Sequence, residues 1–485
     1  MRRLPHALYV GGDAVPDHRP VPQDPEHLEH LMARVLFAAT PFHGHVTPLL
    51  TVAKEMKARG HDVLFLTGAR FAAAVESGGL RFEALPEEAD FDDRRMSAAF
   101  PEFAETGTGY DHHIFFWKRV FADAAVAQYR RIQTLLEHFP ATALVHDTVF
   151  LGALPLSLRP PDGVRPATIC LGVLPPMLLS DDVPPFGPGI PYLAGPEGRE
   201  RNRRLNAETL EAYAGLQKDV VSVFAAIGCD LPGFVFDCAV VGPDHYLQLT
   251  VPGFEYPRSD APASFRCVGA LPQPSSESFA PPRWWPEVTA ADRPVVAVTQ
   301  GTLANEDLSE LILPTVRGLA ATDVTVVAVT ARPDGPEDFA RLLSDLPANA
   351  VVAGYVPFDR LLRSASVLVT NGGYGGVHAA LQNGVPLVVA GDTEDKPEVA
   401  ARVQWSGTGI DLRTGRPEPE QVRQAVVAVL GDAGHRAAAG RLRAEIAAFD
   451  PFGTVAGIVA GTTTGTTTGT SPAREQAAVP PWGHR

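Results

Sequence analysis

The sequence predicts an α/β protein of two domains, each built on a parallel sheet. Three observations carry this. Residues 34–67 read as strand, loop, amphipathic helix and second strand, which is a right-handed βαβ opening. Residues 367–403 read as strand, glycine loop, helix, turn, strand, loop and helix. Between them, residues 271–286 (LPQPSSESFAPPRWWP) have the composition of a linker. At 485 residues the chain accommodates two large domains and extensions.

Composition narrows the class. With 45% hydrophobic and 20% charged residues, the chain is an ordinary globular one. The formal net charge of -15 leaves no basic surplus to neutralise a nucleic-acid backbone. Cys170, Cys229, Cys238 and Cys267 form no CxxC pair, so neither a zinc site nor a disulfide framework is expected. The cytoplasm is the expected compartment. Residues 1–31 are expected to lie outside the fold: 11–25 are rich in Pro, Gly and Asp, and no apolar run makes a signal-peptide core. No window of apolar residues long enough for a membrane-spanning helix is expected either.

In the first domain, residues 34–40 (RVLFAAT) form a strand, and Leu49, Val52, Ala53 and Met56 mark the helix that follows. Ligands of parallel sheets bind beyond the carboxyl ends of strands. Phe42, His43 and His45 therefore stand where a site belongs. An imidazole there suits a general base, because its unperturbed pKa lies near neutral pH; helix capping is the bland alternative. Residues 87–95 read as a charged, solvated loop. Residues 111–126 carry His112, His113, Phe115, Phe116, Trp117 and Phe121, a stripe that is either core or the wall of an acceptor pocket. Residues 144–148 (LVHDT) end a strand on Asp147, either a helix cap or a buried acid that needs a partner. Prolines crowd 155–196 around a strand at 168–173, and 197–226 is helical in period.

The second domain opens with a strand at 294–299, after which Gln300-Gly301-Thr302 turns the chain toward a helix near 307. Asn371-Gly372-Gly373-Tyr374-Gly375-Gly376 holds four glycines in six residues. Glycines let backbone approach a ligand closely, and the next helix points free N–H groups and its positive end at the same place. A pyrophosphate fits there; so does a plain structural turn. Residues 461–470 (GTTTGTTTGT) are low-complexity, and the tail is expected to be disordered.

The glycine stretch resembles the donor signature of the inverting nucleotide-sugar glycosyltransferases, the family of the plant and bacterial UDP-glycosyltransferases and macrolide glycosyltransferases. Thr370, Gly373, Gly376, Ala380, Gly384, Pro386, Asp395 and Ala400 match it. Gly44-His45 and Pro48 resemble the family's N-terminal G-H-x-x-P. The resemblance implies the GT-B fold: two Rossmann-like, doubly wound domains facing across a cleft. It divides the chain into an extension (1–31), an acceptor domain (32–270), a linker (271–290), a donor domain (291–450) whose last helix packs back on the first, and a low-complexity tail (451–485).

The resemblance also implies roles. His45 would be the general base and Asp147 its partner. Gly301, Thr302, Val356, Asn371, Gly372, Gly373, Tyr374, Gly375, Gly376, Asp395 and Lys396 would bind a nucleotide-diphosphate sugar. Phe42, His43 and Phe116 would line the acceptor side. No cofactor or metal is implied, only the two substrates, in a monomer or homodimer. Departures stand beside these matches. Asn371 replaces a histidine and Lys396 a glutamine; Phe358 replaces a glutamine that reads the base. Ala379 replaces the glutamate that bridges the ribose hydroxyls, a loss that a deoxyribose tolerates, so this departure slightly favours dTDP while UDP stays open. A nucleotide-sugar epimerase of the same fold and a non-catalytic sugar-nucleotide-binding partner are the rival classes.

Overall fold

The computed structural model describes residues 32–107, 109–161, 164–273, 279–290, 292–301 and 305–464. Thr302 and the expectations for residues 1–31 and 465–485 lie outside them.

The first domain contributes β1 (Arg34–Ala38), β2 (Asp62–Thr67), β3 (Arg81–Ala84), β4 (Ala143–Asp147), β5 (Ala167–Gly172), β6 (His245–Gln248) and β7 (Phe265–Cys267). The second contributes β8 (Val295–Thr299), β9 (Thr325–Val329), β10 (Ala350–Ala353), β11 (Val367–Thr370), β12 (Leu387–Val389) and β13 (Gly409–Asp411). The sheets run β3-β2-β1-β4-β5-β6-β7 and β10-β9-β8-β11-β12-β13. Neighbouring strands are parallel throughout, as two doubly wound GT-B domains require. The reason is visible in composition. β4 (ALVHD) and β8 (VVAVT) are buried at every position, the mark of strands covered by helices on both faces.

The helices that matter for the site are α1 (His43–Ala58), α2 (Tyr110–Phe115), α3 (Asp123–His138), α4 (Tyr374–Gln382), α5 (Lys396–Trp405), α6 (Ala433–Ile446) and α7 (Pro451–Thr464). A π turn over Phe116–Ala122 joins α2 to α3. On α1, Val46, Leu49, Leu50, Val52, Ala53 and Met56 are buried, the face its spacing predicts. The register Ala38↔His146 sets the ends of β1 and β4 side by side, so the segments beyond them meet.

Several expectations need correction. The linker is shorter than 271–290: Val288 belongs to the second domain's core, with Phe279, Trp284 and Trp285 packed on it. Residues 451–464 are not tail. They form α7, whose Val455 and Val459 bury against the first domain's core. A low-complexity reading missed this because glycine, alanine and threonine give weak periodicity, yet they allow close packing. Residues 433–463 are also long and apolar enough to cross a membrane, contrary to expectation. In the fold they are two helices, and Ala439, Leu442, Ile446, Val455 and Val459 bury into the protein's own cores. The charged run 87–95 is not simply solvated, since Ala89, Phe91 and Asp93 are buried. The domains share apolar contact as well: Val251, Phe254 and Ala270 pack into the second core.

Candidate active site

His45 sits in the first turn of α1, at the carboxyl end of β1. Its Nδ1 lies 2.9 Å from Asp147 Oδ1, at the end of β4. Asp147 is fully buried and also accepts from Thr40 N (2.7 Å), Thr40 Oγ1 (3.1 Å) and Val149 N (3.1 Å). Burial works against its charge, but His45 and the Thr40 N–H outweigh it and hold the carboxyl below its ordinary value. An ionised Asp147 only accepts, so the proton of the neutral His45 ring resides on Nδ1 and Nε2 keeps a free lone pair. The side chain of His45 retains 16% exposure, enough to meet a substrate.

The surroundings of His45 are aromatic. Phe42 lies 5.8 Å from the His45 ring, 4.9 Å from Phe91 and 6.1 Å from Phe116, centroid to centroid. Phe115, Trp117 and Phe121 are buried in the same cluster, while Phe116 is half-buried. The stripe is thus largely core, with Phe116 partly exposed at its edge. His43 is held by its backbone: its N–H donates to Asp93 Oδ2 at 2.7 Å. Arg70 pairs with Asp93 as well. Burial first, then Arg70, lowers the His43 pKa, which favours the neutral ring.

The glycine loop expected to bind the donor follows β11. Gly372 has φ +91°, and a Cβ there would stand 2.7 Å from Val389 Cγ1, so only glycine fits. A Cβ on Gly373 or Gly375 would meet nothing within 4 Å, which marks open space over the N-terminus of α4. Gly376 looks onto Phe358, 3.9 Å from its would-be Cβ. Asn371 donates its amide to the Gln300 carbonyl and lies beside Gly301. Val356 is buried. Ala379 is 1% exposed within the apolar core, so this position offers a ribose nothing.

Two expected donor contacts are corrected. The Tyr374 side chain turns away from the cradle, and its OH accepts from Gln248 Nε2 of the first domain at 2.8 Å. Spacing put the backbone of Tyr374 in the loop but said nothing of its ring. Lys396 is likewise engaged: its Nζ pairs with Glu394 and donates to Thr393 Oγ1 at 2.8 Å. Asp395, by contrast, is partly buried at the start of α5. Burial pushes its carboxyl up to about 6, while Lys396 pulls down and Glu394 up; His45 is near enough to pull down as well.

Sequence reasoning missed Thr40, Asp93 and Gln248. It also missed the buried group Arg402, Glu255 and Glu398, which ties α5 to the first domain. Neither a polar residue beside an apolar run, such as Gln248, nor one within a run of charges, such as Asp93, names its partner.

Two family models match the chain: the glycosyltransferase family 28 N-terminal domain over residues 40–146, and the erythromycin biosynthesis protein CIII-like C-terminal domain over 316–460. The chain is 39% identical to UDP-glycosyltransferase 2 of Phaeomoniella chlamydospora, covering 87% of this chain and 94% of that one. It is 42% identical to 4'-demethylrebeccamycin synthase of Lentzea aerocolonigenes, over 86% and 96%. The solved glycotransferase of kitacinnamycin has the same fold, with TM-score 0.67 at 22% identity over 89% of this chain and 99% of that one. With two facing Rossmann-like domains, these matches at both ends and relatives aligned along nearly its whole folded length, the chain belongs to the nucleotide-sugar-dependent UDP-glycosyltransferases of the GT-B fold.

Proposed function

We propose that the enzyme moves a hexose from UDP to a hydroxyl of a small aromatic or polyketide-like acceptor, with inversion at the anomeric carbon. The observation that carries this reading is the His45–Asp147 pair, 2.9 Å apart, with the imidazole partly exposed in the first turn of α1. His45 Nε2 takes the proton as the acceptor oxygen attacks. Asp147 steadies the imidazolium that results. The bond from the anomeric carbon to the diphosphate oxygen breaks on the opposite face, and UDP leaves into the N–H groups of the glycine loop. Those dipoles are already oriented, so they stabilise the developing charge without reorganisation and without a metal. Asp395 receives sugar hydroxyls, and Phe42 and Phe116 give the acceptor a flat apolar wall. UDP is preferred to dTDP because the aligned relative of Phaeomoniella chlamydospora is named for UDP.

The test is to mix the protein with UDP-glucose or dTDP-glucose and a panel of phenols, and to follow products by mass. Glycoside formed from UDP-glucose is expected. Conversion of the donor sugar without transfer, or binding without turnover, would remove the proposal.

A second expectation concerns Asp147→Asn. The amide keeps the shape but loses the charge, and its NH2 competes for the wrong face of the ring. A charge-assisted hydrogen bond is worth about 1.5–3 kcal/mol, so kcat should fall roughly 10- to 100-fold. Affinity for UDP, measured by calorimetry, should hold.

A further inference from the structure

Residues 393–398 carry Asp395, yet they are held largely by the other domain. At one end, His113 Nε2 lies 3.0 Å from the Glu394 carbonyl. His113 is set for that bond: Tyr213 OH lies 3.4 Å from its Nδ1, and Phe186 stacks on its ring at 6.0 Å. Beside it, His112 is buried with Nδ1 at 2.8 Å from Thr106 Oγ1. Its Nε2 has no hydrogen-bond partner among the described residues and faces Glu394 Oε1 at 3.7 Å. Glu394 itself adopts φ +50°, unusual for a residue with a side chain, which presents its carbonyl and carboxylate together to α2. At the other end, Glu398 Oε1 accepts the N–H of Gly187 (3.0 Å) and of Gly189 (2.9 Å), in the proline-rich loop of the first domain. A side chain on Gly189 would strike the Pro397 carbonyl carbon at 2.7 Å, so the two backbones touch there.

We infer that His112 and His113 are positioning residues for the donor sugar: the acceptor domain, through Glu394, sets where Asp395 stands over the sugar, while the nucleotide is held separately by the glycine loop. The inference rests on the proposed transfer reaction. It follows from the division of contacts. The cradle at Gly372–Gly376 lies on β11 and α4, and the sugar-facing carboxylate lies on a segment gripped from across the cleft on both sides. The π turn that continues α2 begins with Phe116, so acceptor and sugar share one support. Loosening it should change which sugar is accepted and should admit water, but should leave the grip on bare UDP intact.

The experiment compares His113→Ala with the wild type by calorimetry with UDP and with UDP-glucose, and by turnover with UDP-glucose and UDP-galactose. Loss of one hydrogen bond is expected to lower kcat/KM for UDP-glucose about fivefold, while the Kd for UDP stays within about twofold. Discrimination between the two sugars should narrow, and donor hydrolysis should rise relative to transfer. His113→Gln, whose amide N–H reaches a similar distance, should recover most of the loss. His112→Ala should show the same pattern and serves if His113→Ala does not fold. Equal losses for UDP and UDP-glucose, or no change in either, would overturn the inference. A wild-type protein that binds UDP-glucose but never transfers it would defeat the functional reading instead, and the ratio of the two Kd values would still decide this one.

Discussion

His45→Ala is expected to lower kcat by roughly 10²–10⁴-fold, the span a positioned general base contributes. Affinity for UDP should remain within about twofold, less than the effect of one hydrogen bond. The two effects separate because the groups do. His45 stands on α1 of the first domain, whereas the glycine loop proposed to hold the diphosphate runs from the end of β11 into α4 of the second. The variant should also fold. Asp147 loses one of its donors but keeps the Thr40 N–H, the Thr40 hydroxyl and the Val149 N–H, so the buried carboxylate is not left unpaired. The position is partly exposed, and no large cavity opens there. The check is initial-rate kinetics with UDP-glucose and whichever phenol the wild type glycosylates, beside calorimetry with UDP. Retention of more than about a tenth of wild-type kcat would place the base elsewhere, since a base contributes at least about 100-fold.

The frame of the molecule is readable in the sequence, because apolar runs such as residues 62–67 and 367–370 have one use in a sheet covered on both faces. Both are strands with those bounds. β3 and β13 escaped: they are a short edge strand and a three-residue strand, too brief for a pattern. The helical stretch from 197 breaks at Tyr213, a residue no breaker rule marks.

The site is legible to a different depth. His45 and Asp147 are 102 residues apart, and nothing in composition links them; only the register of β1 beside β4 does. Positions set by backbone conformation, such as Gly372 at φ +91°, can be read from spacing. Residues whose role depends on side-chain direction cannot. Tyr374 and Lys396 fall in the right segment, but one ring finds Gln248 and one ammonium finds Glu394. Asp93 is lost in a run of charges because Arg70, which neutralises it, lies 23 residues away.

The largest stability effect is expected at Arg402. It is 1% exposed and donates to both oxygens of Glu255 (2.9 and 2.7 Å) and to Glu398 Oε2 (2.9 Å). Its guanidinium also lies 4.3 Å from the centre of the Tyr256 ring. Burial opposes the charge, but the two carboxylates dominate and raise its pKa. Such a group need not be more stable than an apolar replacement of the whole set, because desolvating the ions offsets their attraction. Removing one partner is another matter. Arg402→Met keeps much of the volume but leaves two carboxylates facing each other in the interior. The loss should be about 3–5 kcal/mol, read as a fall in the urea midpoint at constant slope. The diagnosis lies in the double variant. If the cost is the stranded charge, Glu255→Gln added to Arg402→Met should recover part of it, although Glu255→Gln alone destabilises. If the two losses simply add, the group acts through packing, and α5 is held to the first domain by shape rather than by charge. Recovery would locate the strongest tie between the domains directly beneath the segment that bears Asp395. The position of that carboxylate over the sugar would then depend on an ion group that touches neither substrate.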